Sequence, residues 1–227
     1  MKIQQRDIEI LKCCYEQQFL TLEQIEKYYF KSTHGNLARR RVGELRKAGL
    51  VRAEDSRLAT TGKIIRLTRS GQKLIASQCA FDVPQARSID LATLMHDSIV
   101  TSVRLRLSEI WSGAWVPERA LKDKYPIIPD GIVKFESGFN VAVEIENSSK
   151  GRTRFCQILN TWNQVENVSL ILYIATTEQL ERLILSYLAE VKMKLPAVVV
   201  QWSSLCSGMP LVKSPAGELP IFSKREL

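Results

Sequence analysis

Three short runs of apolar residues at helical spacing, followed by an abrupt switch to period two, leave few folds open to the first part of this chain. Over residues 5–19, Ile8, Leu11, Cys14 or Tyr15, and Phe19 recur with Gln, Glu and Lys between them, the pattern of a helix with one buried stripe. Thr21 precedes Leu22-Glu23-Gln24-Ile25 and supplies an N-cap; the acid and amide after it suit the first turn of a second helix, which runs to about Phe30. After the turn Lys31-Ser32-Thr33-His34-Gly35, a third helical run spans Asn36 to Ala48 and is closed by Gly49. Leu50-Val51-Arg52-Ala53 and Lys63-Ile64-Ile65-Arg66-Leu67 then read as strands around a polar turn, Glu54 to Gly62, and Leu67-Thr68-Arg69-Ser70-Gly71 opens another helix through about Gln78. Three helices and a hairpin predict a winged helix-turn-helix over residues 1–80.

In the third helix Ala38, Val42 and Leu45 share one side and face the core. Asn36, Arg40, Gly43 and Lys47 lie opposite, flanked by Arg39 and Arg46. Gly43 permits close approach of that face to another surface, at a helix-propensity cost near ~1 kcal/mol. Charge is distributed to match. Residues 1–80 hold 16 Lys and Arg against 8 Asp and Glu, whereas residues 81–227 hold 16 of each, so the whole net charge of +8 belongs to one segment. Such asymmetry makes a local positive potential that attracts phosphates. The partner expected is double-stranded DNA, with Asn36 and Arg40 on bases and Arg39, Arg46 and Lys47 divided between bases and backbone. Thr33 and His34 are expected on phosphate, and Arg57 and Lys63 at the hairpin tip on an adjacent backbone or minor groove. A homodimer is expected too, because two half-sites multiply specificity. The alternative is a winged helix that binds protein.

Residues 81–89, with Pro84 and no clear period, read as a linker. A second domain over residues 90–206 opens with a long helix, Asp90 to Trp111, whose Leu91, Leu94 or Met95, Ile99, Val103 and Leu107 are expected on the buried side. The period then changes to that of strands: Ile132-Val133-Lys134-Phe135, a polar turn, and Asn140-Val141-Ala142-Val143-Glu144-Ile145-Glu146. Val141, Val143 and Ile145 point one way, and Ala142, Glu144 and Glu146 the other. Asp130 stands where the partner strand begins. Three acids that converge at a strand end are suited to a divalent cation. Helix at 152–162, strand at 168–175, helix at 178–192 and strand at 197–202 complete an α/β order with a mixed sheet, α+β over the whole chain. Residues 207–227, with three prolines, are expected to be an irregular tail.

No apolar run approaches the ~18 residues a membrane span needs, and the N-terminal residues lack the apolar stretch of a signal peptide, so the expected location is the cytoplasm, on nucleoid or plasmid DNA, with no membrane partner. Five cysteines without zinc spacing are expected to be reduced and mostly buried.

Pro129-Asp130 followed by Glu144 resembles the PD-(D/E)xK nuclease-like core, in which an Asp and a second acid hold metal and a Lys two positions later polarises the attacking water. Here that position is Glu146, and the nearest lysine is Lys150. The resemblance implies candidate catalytic residues Asp130, Glu144 and Lys150, with Asp130, Glu144 and Glu146 on Mg²⁺ only if the core is active; otherwise no cofactor is expected. The winged helix, then Leu94-Met95-His96-Asp97, Pro129-Asp130-Gly131 and Val143-Glu144-Ile145-Glu146, together resemble the replication-relaxation family of plasmids and mobile elements, over roughly residues 5–165. That resemblance implies DNA binding in replication, mobilisation or transcription regulation, and a degenerate nuclease fold. Three readings stand at this point: a regulator whose second domain dimerises or binds a partner or ligand, a metal-dependent nuclease or nickase, and an adaptor for a replication or transfer protein.

Overall fold

In the computed structural model, which describes residues 2–31, 36–56, 62–79, 81–85, 88–122, 124–208 and 210–221, the chain divides into two units, Met1–Ser102 and Val103–Leu227. The first unit begins with α1 (Gln5–Gln17), which ends at Gln18 in a left-handed conformation (φ 71°). A two-residue strand, β1 (Leu20–Thr21), follows and leads into α2 (Leu22–Gln24). Thr21 caps that helix as its sequence predicts: its side chain accepts from the Gln24 N–H at 3.1 Å, and Gln24 Oε1 accepts from the Thr21 N–H at 2.9 Å. The helix then widens into a π-helical turn, Ile25–Phe30. Next come α3 (Asn36–Lys47), β2 (Val51–Asp55), β3 (Lys63–Leu67) and α4 (Arg69–Ala76).

Among the described residues, β1, β3 and β2 form an antiparallel sheet in that order, with Leu20 opposite Ile65 and Val51 opposite Leu67. The pairing of β1 was not foreseen, because two residues are too short to show a period. The run Gly49-Leu50 and the later Thr68-x-x-Gly71 meet in space. Gly49 closes α3 at φ 72°, a conformation that favours glycine. Thr68 caps α4 by accepting from the Gly71 N–H at 3.1 Å, and its own N–H donates to Leu50 O at 3.0 Å. A Cβ on Gly71 would lie 2.1 Å from Leu50 O, so the approach of α4 to that carbonyl requires glycine. Ile10, Leu11, Cys14, Leu45, Ile65 and Ile75 make the core of the unit; burying each large aliphatic side chain contributes about 1.5–3 kcal/mol.

The stretch expected as a linker runs along this unit. The Gln85 side chain donates to Tyr15 O at 2.9 Å, the Tyr15 hydroxyl bonds Asp82 at 3.1 Å, and Ile89 packs on the cluster of Phe19, Ile64 and Leu94.

Helix α5 (Leu94–Ile110) crosses the boundary between the units. Leu94, Val103 and Leu107 are buried, but Leu91 (46% exposed) and Met95 (55%) are not. Val100, Thr101 and Leu105 are buried as well, so the helix is covered on more than one side and its apolar pattern is no simple stripe.

The second unit continues with β4 (Ala114–Pro117), α6 (Glu118–Leu121), β5 (Gly131–Lys134), β6 (Asn140–Glu146), α7 (Arg152–Trp162), β7 (Leu170–Ala175), α8 (Glu178–Glu190), β8 (Ala197–Gln201), α9 (Trp202–Cys206), β9 (Leu211–Ser214) and β10 (Gly217–Pro220). Among the described residues seven strands make one mixed sheet, ordered β10-β9-β8-β7-β6-β5-β4. β4, β5 and β6 are an antiparallel meander; β6, β7 and β8 are parallel, joined through α7 and α8. Both faces of β6 and β7 are largely covered, as parallel strands in an α/β arrangement require.

The hairpin β9–β10 corrects the expectation of an irregular tail. Val212 is buried, Lys213 opposes Val199 of β8, and its ammonium bonds Glu181 at 2.9 Å. Pro210 and Pro215 lie just outside β9, and Pro220 is the last residue of β10. The five cysteines form no disulfide; Cys13 and Cys14 are buried, Cys79 and Cys156 half-buried and Cys206 exposed, so fewer are buried than expected. Among the described residues no helix is long and apolar enough to cross a membrane.

Candidate functional site

Helix α3 displays the basic face. Ala38, Val42 and Leu45 are 1%, 6% and 0% exposed and anchor it, while Asn36, Arg39, Arg40, Arg46 and Lys47 are exposed. A Cβ on Gly43 would meet nothing within 4 Å, so this position is open to an approaching surface. Arg39, Gly43 and Arg46 line one side of a groove of about 590 Å³, whose other walls come from Leu22, Glu23 and Glu26 of the second helix and Ala53, Lys63 and Ile65 of the hairpin. The structure thus brings Arg39, Arg46 and Lys63 together around one concavity. Asn36, Arg40 and Lys47 are exposed on α3 without lining it. Thr33, His34 and Arg57 lie outside the described residues.

Several of these cations have acidic partners. Arg39 Nε is 3.4 Å from Glu26 Oε1, Arg40 Nε is 3.9 Å from Glu44 Oε1, and Lys63 Nζ is 3.6 Å from Asp55 Oδ1. These pairs are partly or wholly exposed, and such pairs are individually weak. Arg46 and Lys47 close the last turn of α3, where cations suit the helix dipole.

One arginine of the Arg39-Arg40-Arg41 run behaves differently. Arg41 Nε donates to Asp7 Oδ1 at 2.8 Å, its Nη2 bonds Asp7 Oδ2 and Lys2 O, and its Nη1 bonds Glu44. Burial alone would raise the Asp7 carboxyl, but the Arg41 and backbone hydrogen bonds outweigh it and hold the carboxyl below its ordinary value. The sequence carries a signal for this role: Arg41 stands three residues after Ala38 and four before Leu45, beside the core stripe.

The acids of the second unit form a distinct cluster. β5 and β6 pair with Gly131 opposite Val143, which sets Asp130 beside Glu144; Asp130 Oδ2 accepts from the Ile145 N–H at 2.7 Å. Glu144 is half-buried and Glu146 is 4% exposed, because the strand face that carries them is not open to solvent. Lys150, in the loop before α7, pairs with Glu146. Removal from water, with the Asp130 and Glu146 charges adding to it, pushes the Glu144 carboxyl well above the ordinary carboxylate range against the opposing pull of Lys150. The Trp162 indole faces this carboxyl without hydrogen-bond geometry, and the Tyr173 hydroxyl, in register with Glu144, is likewise buried without a partner among the described residues. Burial and the two glutamates push that phenol upward. Sequence reasoning found the acids and Lys150 but missed Trp162 and Tyr173; aromatics with polar tips in buried runs are the signal that was there.

Mg²⁺ is the metal that a PD-(D/E)xK core implies. Asp130 is engaged by backbone and Glu146 by Lys150, and among the described residues no group of three or more His, Cys, Asp or Glu is arranged to hold a metal ion. As these side chains stand they do not make a cage for it.

The family model for replication-relaxation matches residues 11–165. The chain belongs to the replication-relaxation family. The matched stretch contains both α3 and the Asp130–Lys150 cluster, so both features fall within the part of the chain that the replication-relaxation family describes. No curated protein and no solved structure matches the chain.

Proposed function

We propose that this protein is a sequence-specific double-stranded DNA-binding protein, a transcription regulator or replication and mobilisation factor of a plasmid or other mobile genetic element. The first unit acts as a winged helix-turn-helix, with α3 in the major groove and the β2–β3 hairpin as the wing. One observation carries this reading: α3 buries Ala38, Val42 and Leu45 and thereby presents Asn36, Arg39, Arg40, Arg46 and Lys47 to solvent on one short helix. A purely structural helix has no need of that face. Asn36 and Arg40 read base edges, where an amide or guanidinium makes paired hydrogen bonds, and the remaining cations hold phosphates. Membership of the replication-relaxation family supports the reading, since its name ties it to replication.

The second unit is read as a PD-(D/E)xK nuclease-like core that serves dimerisation or the binding of a partner or ligand; its mixed sheet flanked by helices supports that reading. Dimerisation gives α3 two half-sites about one helical turn apart. Selection of bound duplexes from a random pool tests the proposal: enrichment of one motif, repeated as a two-fold pair, is expected. A pool that stays random after repeated selection overturns sequence-specific binding.

A further inference from the structure

The groove beside the proposed DNA-binding face of α3 carries residues of both charges. Arg39 and Arg46 of α3 and Lys63 of the hairpin bring cations to it, and Glu23 and Glu26 bring acids. The two kinds meet where Arg39 Nε donates to Glu26 Oε1 at 3.4 Å. Glu26 belongs to the π-helical turn Ile25–Phe30, a geometry that recurs at functional sites. That turn is fastened from outside: the Arg6 guanidinium lies 4.1 Å over the Phe30 ring and donates to Tyr29 O at 3.5 Å. The Glu26 side chain is 24% exposed, whereas that of Arg39 is 67% exposed, so the acid is the held partner and the cation the one presented to solvent.

A phosphate that enters this groove needs Arg39 and is repelled by Glu26. We propose that Glu26 competes with DNA phosphate for Arg39, lowering affinity for every duplex and so making stable binding depend on the base contacts of α3. The inference rests on duplex binding by α3 and concerns the regulation of that same surface. An exposed ion pair is weak, so phosphate displaces it at a modest penalty in affinity.

The test is a titration of a labelled random-sequence duplex with the full chain, Glu26→Gln, Arg39→Ala and the double variant, at two salt concentrations. Glu26→Gln is expected to tighten binding about fivefold and to steepen the logarithmic salt dependence by about one. With Arg39→Ala already present, the same change is expected to gain less than about twofold. Unchanged affinity and salt dependence in Glu26→Gln, or an equal gain with and without Arg39, overturns the competition and leaves duplex binding intact. Absence of binding by both wild type and Glu26→Gln at low salt overturns the reading of α3, and the competition falls with it.

Discussion

Arg41 of α3 and Asp7 of α1 form a largely buried ion pair, with Nε and Oδ1 2.8 Å apart and the side chains 13% and 0% exposed. It ties the helix that displays the basic face to the helix behind it. Removing one partner strands the other charge, which costs about 3–5 kcal/mol. Arg41→Ala is therefore expected to lower the urea unfolding free energy by that amount, whereas Arg39→Ala and Arg40→Ala change it by less than about 0.5 kcal/mol. Equal losses from all three would refute the distinction.

The same pair sets an acid limit. Because Asp7 is held below its ordinary value, the unfolded state binds its proton first as pH falls. The stabilisation is complete above the ordinary Asp range, near pH ~4, and is lost below it as pH drops through the folded value. Asp7→Asn is expected to be less stable at neutral pH and to show a shallower decline in acid, read by urea unfolding over a pH series.

Gly43 gives a case in which stability and binding part company. Nothing stands within 4 Å of a Cβ there, so Gly43→Ala is expected to stabilise the protein by about 1 kcal/mol through helix propensity. On the proposed face it also adds bulk toward the duplex, and DNA affinity is expected to fall. A variant that is both more stable and an equal or better binder removes Gly43 from the interface.

Arg40 and Lys47 are expected to fail differently. Arg40→Ala loses discrimination between a selected site and a random duplex by about 1–3 kcal/mol, while Lys47→Ala weakens binding to both and reduces the salt dependence by about one. Equal weakening on all sequences from Arg40→Ala contradicts its assignment to bases.

Glu144 has the opposite sign to Asp7. Its carboxyl is held above the ordinary range, so between the unfolded value, near ~4.3, and the folded one the folded state carries a proton that the unfolded state lacks. Stability contributed at this position falls as pH rises through that window. Glu144→Gln keeps the neutral form, and its stability is expected to exceed that of wild type increasingly from about pH 5 upward. Parallel pH profiles for the two proteins would contradict this.

The arrangement of the acids also predicts that supercoiled plasmid incubated with the protein and Mg²⁺ remains uncut. Cleavage by wild type that Asp130→Ala abolishes would support the nuclease reading instead.

Patterns repeated along the chain, which depend on near neighbours alone, were legible in the amino-acid order. The stripe Ala38-Val42-Leu45, the cap at Thr21, the stop at Gly49, the alternation through β6 and the confinement of positive charge to the first 80 residues belong to that class. Tertiary structure decided what depends on partners distant in the chain. Arg39, Arg40 and Arg41 are chemically equal in sequence, yet only Arg41 meets an acid 34 positions away and gives up its exposure. Glu144 and Glu146 share a face as solvent-facing residues would, but the covering of their sheet buries Glu146 and leaves Glu144 half-buried. β1, the docking of residues 81–89 and the β9–β10 hairpin likewise draw their stability from pairing and burial against remote segments, a contribution that no local period records.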